Sequence, residues 1–142
     1  MKVKVLALFF SVLGAFSAMA SEEYDACYEK ARDDTQVGLC MKAETARLLK
    51  QIQEVYVHVA QNEQTKGWNK GQGLQSGNLK DMYDSWLAYR NRYCSLFTVA
   101  SANTFGSTQY NKERCLLNIT NDHYEMMKTV IINANTGGEE DD

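Results

Sequence analysis

Asp84–Cys94 reads DSWLAYRNRYC, eleven residues with one Trp, two Tyr, two Arg and one Cys. On an α-helix, Trp86, Arg90 and Cys94 are four residues apart and fall on one stripe. Leu79, Met82, Tyr89, Tyr93 and Phe97 widen that stripe into an apolar face. A bonded Cys94 turns the face inward. The Arg90 guanidinium then lies under the Trp86 ring, with its stem packed alongside. A cation in that position needs an acceptor, such as a helix-end carbonyl or a carboxylate from the first helix. Asn91 and Arg92 point towards solvent. The segment therefore reads as architecture rather than as a display surface.

The same periodicity extends to both sides. Thr45, Leu48, Leu49, Ile52, Val55, Tyr56 and Val59 recur at three- and four-residue steps after Met41, one face of an amphipathic helix. Cys115, Leu116, Ile119, His123, Met126, Met127 and Val130 form a third such face. Asn78 and Asn111 are the expected N-caps of the second and third long helices. A short helix is expected over 22–32. The chain has no Pro, which suits long unbroken helices. Two polar connections, 62–77 and 101–110, separate the long helices. No strand-like alternation competes. The pattern predicts an all-α fold: a small antiparallel bundle of three long helices with a short N-terminal one.

The first twenty residues carry Lys2 and Lys4, then the apolar run VLALFFSVLGAF, then Ala18-Met19-Ala20 ahead of Ser21. This is the layout of a secretory signal peptide, 1–20, cleaved before Ser21. A single domain is expected over 21–132, and a disordered Gly-rich and acidic tail over 133–142. The chain holds 15 basic and 18 acidic side chains. Cleavage removes Lys2 and Lys4 and leaves a formal charge of −5, most of it in the tail sequence GGEEDD. A nearly neutral body gives no electrostatic case for nucleic acid. No second apolar run is long enough to span a membrane.

Cys27, Cys40, Cys94 and Cys115 are an even set in a small exported domain, which argues for two disulfides. Four cysteines allow three pairings. We favour Cys27–Cys40 and Cys94–Cys115, because each pair spans a helix–loop–helix hairpin. Zinc is disfavoured, since there is no C-x₂-C spacing and only two His are present.

Nothing marks a catalytic set. His58 lies near the polar end of a helix and His123 on an apolar face. No Ser or Cys stands in a nucleophile setting, and no carboxylate pair is singled out. Gly71, Gly73 and Gly77 have the wrong spacing for a nucleotide turn. No cofactor is expected. For partner contact the loops stand out. Trp68, flanked by Lys66 and Lys70, either packs back onto the helices or is displayed as an interface anchor. Trp68 and Lys70 in the first loop and Phe105 in the second are the candidate contact residues.

Trp86-x-x-Tyr89-Arg90-x-x-x-Cys94, followed by Gly106, Cys115 and Thr120, resembles the lysozyme inhibitor LprI-like (N-terminal domain) family. Leu79 ahead of the Trp and Cys40 leading into a long helix fit it too. The likeness runs from about Cys27 to Val130. Two positions depart from the family's pattern, His123 where it tends to have Arg and Tyr83 where it often has Gln. The resemblance implies a small exported bacterial domain, periplasmic or secreted. Such a domain binds a protein partner and inhibits lysozyme-like cell-wall hydrolases rather than catalysing a reaction. The alternative is an envelope interaction or immunity-type module for another exported protein.

Overall fold

The computed structural model describes residues 21–61, 76–102 and 106–136. Four helices fill these segments: α1 (Glu22–Lys30), α2 (Asp34–Gln61), α3 (Ser76–Ala100) and α4 (Thr108–Thr136). No strand occurs among the described residues. The all-α fold and both disulfide pairings, Cys27–Cys40 and Cys94–Cys115, are as read from the sequence.

Local chemistry explains the helix starts. Ser21 caps α1, its Oγ accepting the Tyr24 N–H at 3.1 Å, and three acids occupy the first turn. Asp33 caps α2, its Oδ1 accepting the Gln36 N–H at 2.8 Å. The Gln36 side chain reaches back to accept the Arg32 N–H at 3.1 Å, a reciprocal arrangement close to a capping box. Ser107 caps α4 by accepting the Tyr110 N–H at 3.1 Å. Gly106 just before it has φ +72°, and a Cβ there would sit 2.9 Å from the Tyr110 ring. The tight entry into α4 therefore requires glycine.

Several boundaries differ from expectation. α1 stops at Lys30, and α2 begins at Asp34, so Cys40 lies inside that helix. α3 begins at Ser76, two residues before the expected cap Asn78. Asn111 is not a cap; it lies within α4 and is 1% exposed. Propensity cannot separate a capping Asn from a buried one, because both uses satisfy its amide. α4 continues to Thr136, four residues into the stretch expected to be tail. The proposed signal peptide and residues 137–142 lie outside the described residues.

The three long helices run up, down and up. α2 and α4 are parallel, with Gly38 beside Tyr110 and Glu113 at one end and Tyr56 against His123 at the other. α3 is antiparallel to α4: Cys94 joins Cys115, Arg90 meets Thr120, and Trp86 meets His123. The core at the far end from α1 gathers Ile52, Val55, Tyr56 and Met127, with Val59, Leu79, Tyr83, Trp86 and Tyr124 packed around it. At the near end, Cys40, Met41 and Leu48 of α2 are buried, as are the two sulfurs of Cys94–Cys115. The apolar face read on α2 is the buried one. α1 buries no residue and lies on the outside of α2.

Candidate functional site

α3 carries two apolar arcs, and they have different fates. The inner arc holds Leu79, Tyr83, Trp86, Arg90, Cys94, Phe97 and Thr98. The Trp86 ring stacks on the His123 imidazole, with centroids 4.0 Å apart and planes within 15°. The Tyr56 hydroxyl lies 3.3 Å from His123 Nε2. Tyr83 bridges Tyr56 and Trp86, with centroid separations of 5.3 and 6.0 Å. The Arg90 guanidinium sits over Trp86 at 5.5 Å. Arg90 is buried, at 6% exposure.

Arg90's acceptors are neutral. Nη1 donates to Thr120 Oγ1 at 3.0 Å, while Nε and Nη2 donate to Asn91 Oδ1 at 3.2 and 2.9 Å. The expected carbonyl or carboxylate is replaced by a hydroxyl and an amide. Asn91, though exposed, turns back to serve Arg90 instead of pointing to solvent. Burial pushes the Arg90 pKa down, with electrostatic contributions from Tyr83 and Glu113 opposing that shift.

His123 is the member of this cluster whose ordinary pKa lies nearest neutrality. Burial pushes its pKa down, and its Nδ1 has no hydrogen-bond partner among the described residues. The folded state therefore favours the neutral imidazole. Above the unfolded value of about 6.5 both states are neutral and stability is unaffected. As pH falls below that value, the unfolded chain binds a proton that the folded chain resists, and stability is lost until the folded pKa is passed. The melting temperature should fall between pH 7.5 and 5, and His123→Phe, which keeps a stacked ring, should flatten that slope. An unchanged slope in His123→Phe would assign the acid sensitivity to another group. Glu44, whose pKa is lowered chiefly by Arg47 hydrogen bonding, loses its contribution only at more acid pH.

The outer arc of α3 holds Met82 (52% exposed), Tyr89 (60%), Tyr93 (45%), Leu96 (69%) and Val99 (77%). Tyr89 and Tyr93 lie against each other at 5.9 Å. With Ser85, Ala88 and Arg92 they line an open groove along the helix. Met82, Tyr89 and Tyr93 were expected on the packed face. They lie roughly 60–140° round the helix from Arg90 and Cys94, and all three are exposed. Met126 of α4, also expected inside, is 59% exposed. Together these residues form an exposed apolar strip along α3. The signal in the sequence was an apolar arc wider than one packing contact can cover.

The remaining candidates fall as follows. Trp86, Arg90 and the four cysteines belong to the framework, and Tyr89 belongs to the exposed strip. Trp68, Lys70 and Phe105 lie outside the described residues. His58 is exposed on α2. No group of His, Cys, Asp and Glu among the described residues is placed to hold a metal ion. No described helix is long and apolar enough to cross a membrane.

Comparison with known proteins gives one match. A family model described as Lysozyme inhibitor LprI matches residues 27–125. That span begins at Cys27 and ends in α4, so it contains both crosslinks, the Trp86–Arg90–Thr120 contact and the exposed strip. No curated protein and no solved structure matches the chain.

Proposed function

The chain belongs to the lysozyme inhibitor LprI family, and on that premise we propose that it is an exported, non-enzymatic binding protein whose target is a lysozyme-like cell-wall hydrolase. The observation that carries this reading is the family match over most of the folded domain. Two disulfides suit an oxidising compartment, the periplasm or the exterior, where such hydrolases act. A short bundle with two crosslinks is also rigid, and binding then costs little ordering entropy.

The contact face we assign is the outer strip of α3, centred on Tyr89, Tyr93 and Leu96. Aromatic residues beside a single Arg are the composition of interface hot spots, and Arg92 stands within this strip. Trp68, Lys70 and Phe105, on the connections flanking α3, complete the candidate set.

Purified protein should slow c-type or g-type lysozyme saturably, with a stoichiometric endpoint. Tyr89→Ala or Leu96→Glu should weaken inhibition by about tenfold or more while leaving the melting temperature within a few degrees. Unchanged lysis rates with both lysozyme types at large inhibitor excess would overturn the target. In that event, recovery of a stable complex with another exported protein would establish the envelope-module alternative.

A further inference from the structure

Glu44 lies ten residues into α2 and is only 6% exposed. Its carboxylate receives donors on both oxygens from two directions. Arg47 approaches from one side, with Nη2 on Oε1 at 2.6 Å and Nε on Oε2 at 2.8 Å. Ser21 approaches from the other, with its backbone N on Oε1 at 3.3 Å and its Oγ on Oε2 at 2.7 Å. Ser21 thus makes a second fork that mirrors the Arg47 guanidinium. The same Oγ caps α1, so one residue both starts that helix and fastens it to α2. α1 needs such a fastening because it buries no residue of its own; the Cys27–Cys40 bridge also ties it to α2.

Ser21 is also the residue that follows the small–x–small sequence Ala18-Met19-Ala20. A peptide nitrogen can offer Glu44 one N–H and no charge. A free terminus offers three N–H groups and a positive charge. We propose that the Ala20–Ser21 bond is the processing site of this chain, and that the Ser21 ammonium released there is a structural ion whose built counter-ion is the buried Glu44 carboxylate. An exported endopeptidase adds water across the bond. The acyl side leaves as the Ala20 carboxylate on the leader, and the nitrogen side remains on the domain as the Ser21 ammonium. Leader removal thereby completes an ammonium–carboxylate–guanidinium triad and locks α1 onto α2. The Ser21 N–H already donates to an ionised carboxylate; processing adds a positive charge to that donor and makes the contact an ion pair, which strengthens the clamp.

The inference rests on the export reading above, and its test keeps the two apart. N-terminal sequencing or intact mass of the exported protein should show Ser21 as the first residue. That form is then compared with one carrying a single extra residue, Ala20, where Ser21 N is again a peptide nitrogen. The Ala20 form should melt about 4 °C lower. It should also have its Cys27–Cys40 bridge reduced several-fold faster by dithiothreitol, because α1 opens more often. In a Glu44→Gln background both differences should vanish. A different first residue overturns the processing site. Equal melting and equal reduction rates in an exported protein that begins at Ser21 overturn the ion pair alone and leave export standing. None of these results depends on lysozyme inhibition.

Discussion

Replacing Cys94 and Cys115 together by Ala should lower the free energy of unfolding by about 3 kcal/mol. The crosslink closes a loop of sequence separation 21 and ties α3 to α4. Its loss frees the unfolded chain, whose extra conformational entropy no folded contact offsets. Both cysteines are buried, at 0% and 7% exposure, so the two helices remain packed around the site and the native state gains little freedom. The corresponding Cys27, Cys40 double replacement behaves differently. Its loop has a sequence separation of 13, but it anchors a helix with no buried residue. Once that crosslink is gone, α1 can detach while the three long helices stay folded. The loss is then capped by what α1 docking contributes. Guanidinium unfolding separates the cases: the midpoint should fall sharply for the Cys94, Cys115 pair and less for the other. A Cys94, Cys115 variant within 0.5 kcal/mol of wild type, taking that as roughly the scatter of surface substitutions, would contradict this account.

Arg90 gives the second large effect, and the choice of replacement decides its size. Arg90→Ala removes a buried side chain that packs on Trp86, and should cost about 3 kcal/mol, as large-to-small core changes do. Arg90→Met should cost about 1 kcal/mol or less. The difference follows from the partners. Among the described residues no carboxylate lies within ion-pair distance of Arg90, and its desolvation is opposed by neutral hydrogen-bond acceptors, by Tyr83 and, at longer range, by Glu113. Thr120 also donates to the Leu116 carbonyl at 2.6 Å, so losing the guanidinium strands no buried donor. Methionine keeps most of the stem and avoids desolvating a charge. Equal losses for Ala and Met, measured by denaturant titration, would show that hydrogen bonding outweighs packing at this position.

Much of the bundle is legible in the residues. Thr45, Leu48, Ile52, Val55 and Tyr56 repeat with a period that only a helix satisfies, and all five are buried. The disulfide pairing favoured among the three possible is the one formed, each bridge joining neighbours across one connection. Trp86, Arg90 and Cys94 lie inward because three residues at four-residue steps share a face in any helix. Boundaries were less legible, because Ser21, Asp33 and Ser107 are unremarkable polar residues until the backbone places an N–H beside each oxygen. The acceptors of Arg90 were also hidden. Thr120 is thirty residues away, and Asn91 is adjacent but reads as a surface residue.

What the sequence alone determined, then, is the period, number and order of the helices, because these depend on spacing within each segment. Only the tertiary structure decided which arc of α3 is core and which is surface. Tyr89 and Trp86 look alike in a periodicity count, and both arcs are apolar. The choice is made by the position of α4, which can cover one arc and leaves Met82, Tyr89, Tyr93 and Leu96 to solvent. The pairing of Ser21 with Glu44 is of the same kind. Two residues twenty-three apart meet only when α1 folds back on α2, and neither carries a local mark of the other.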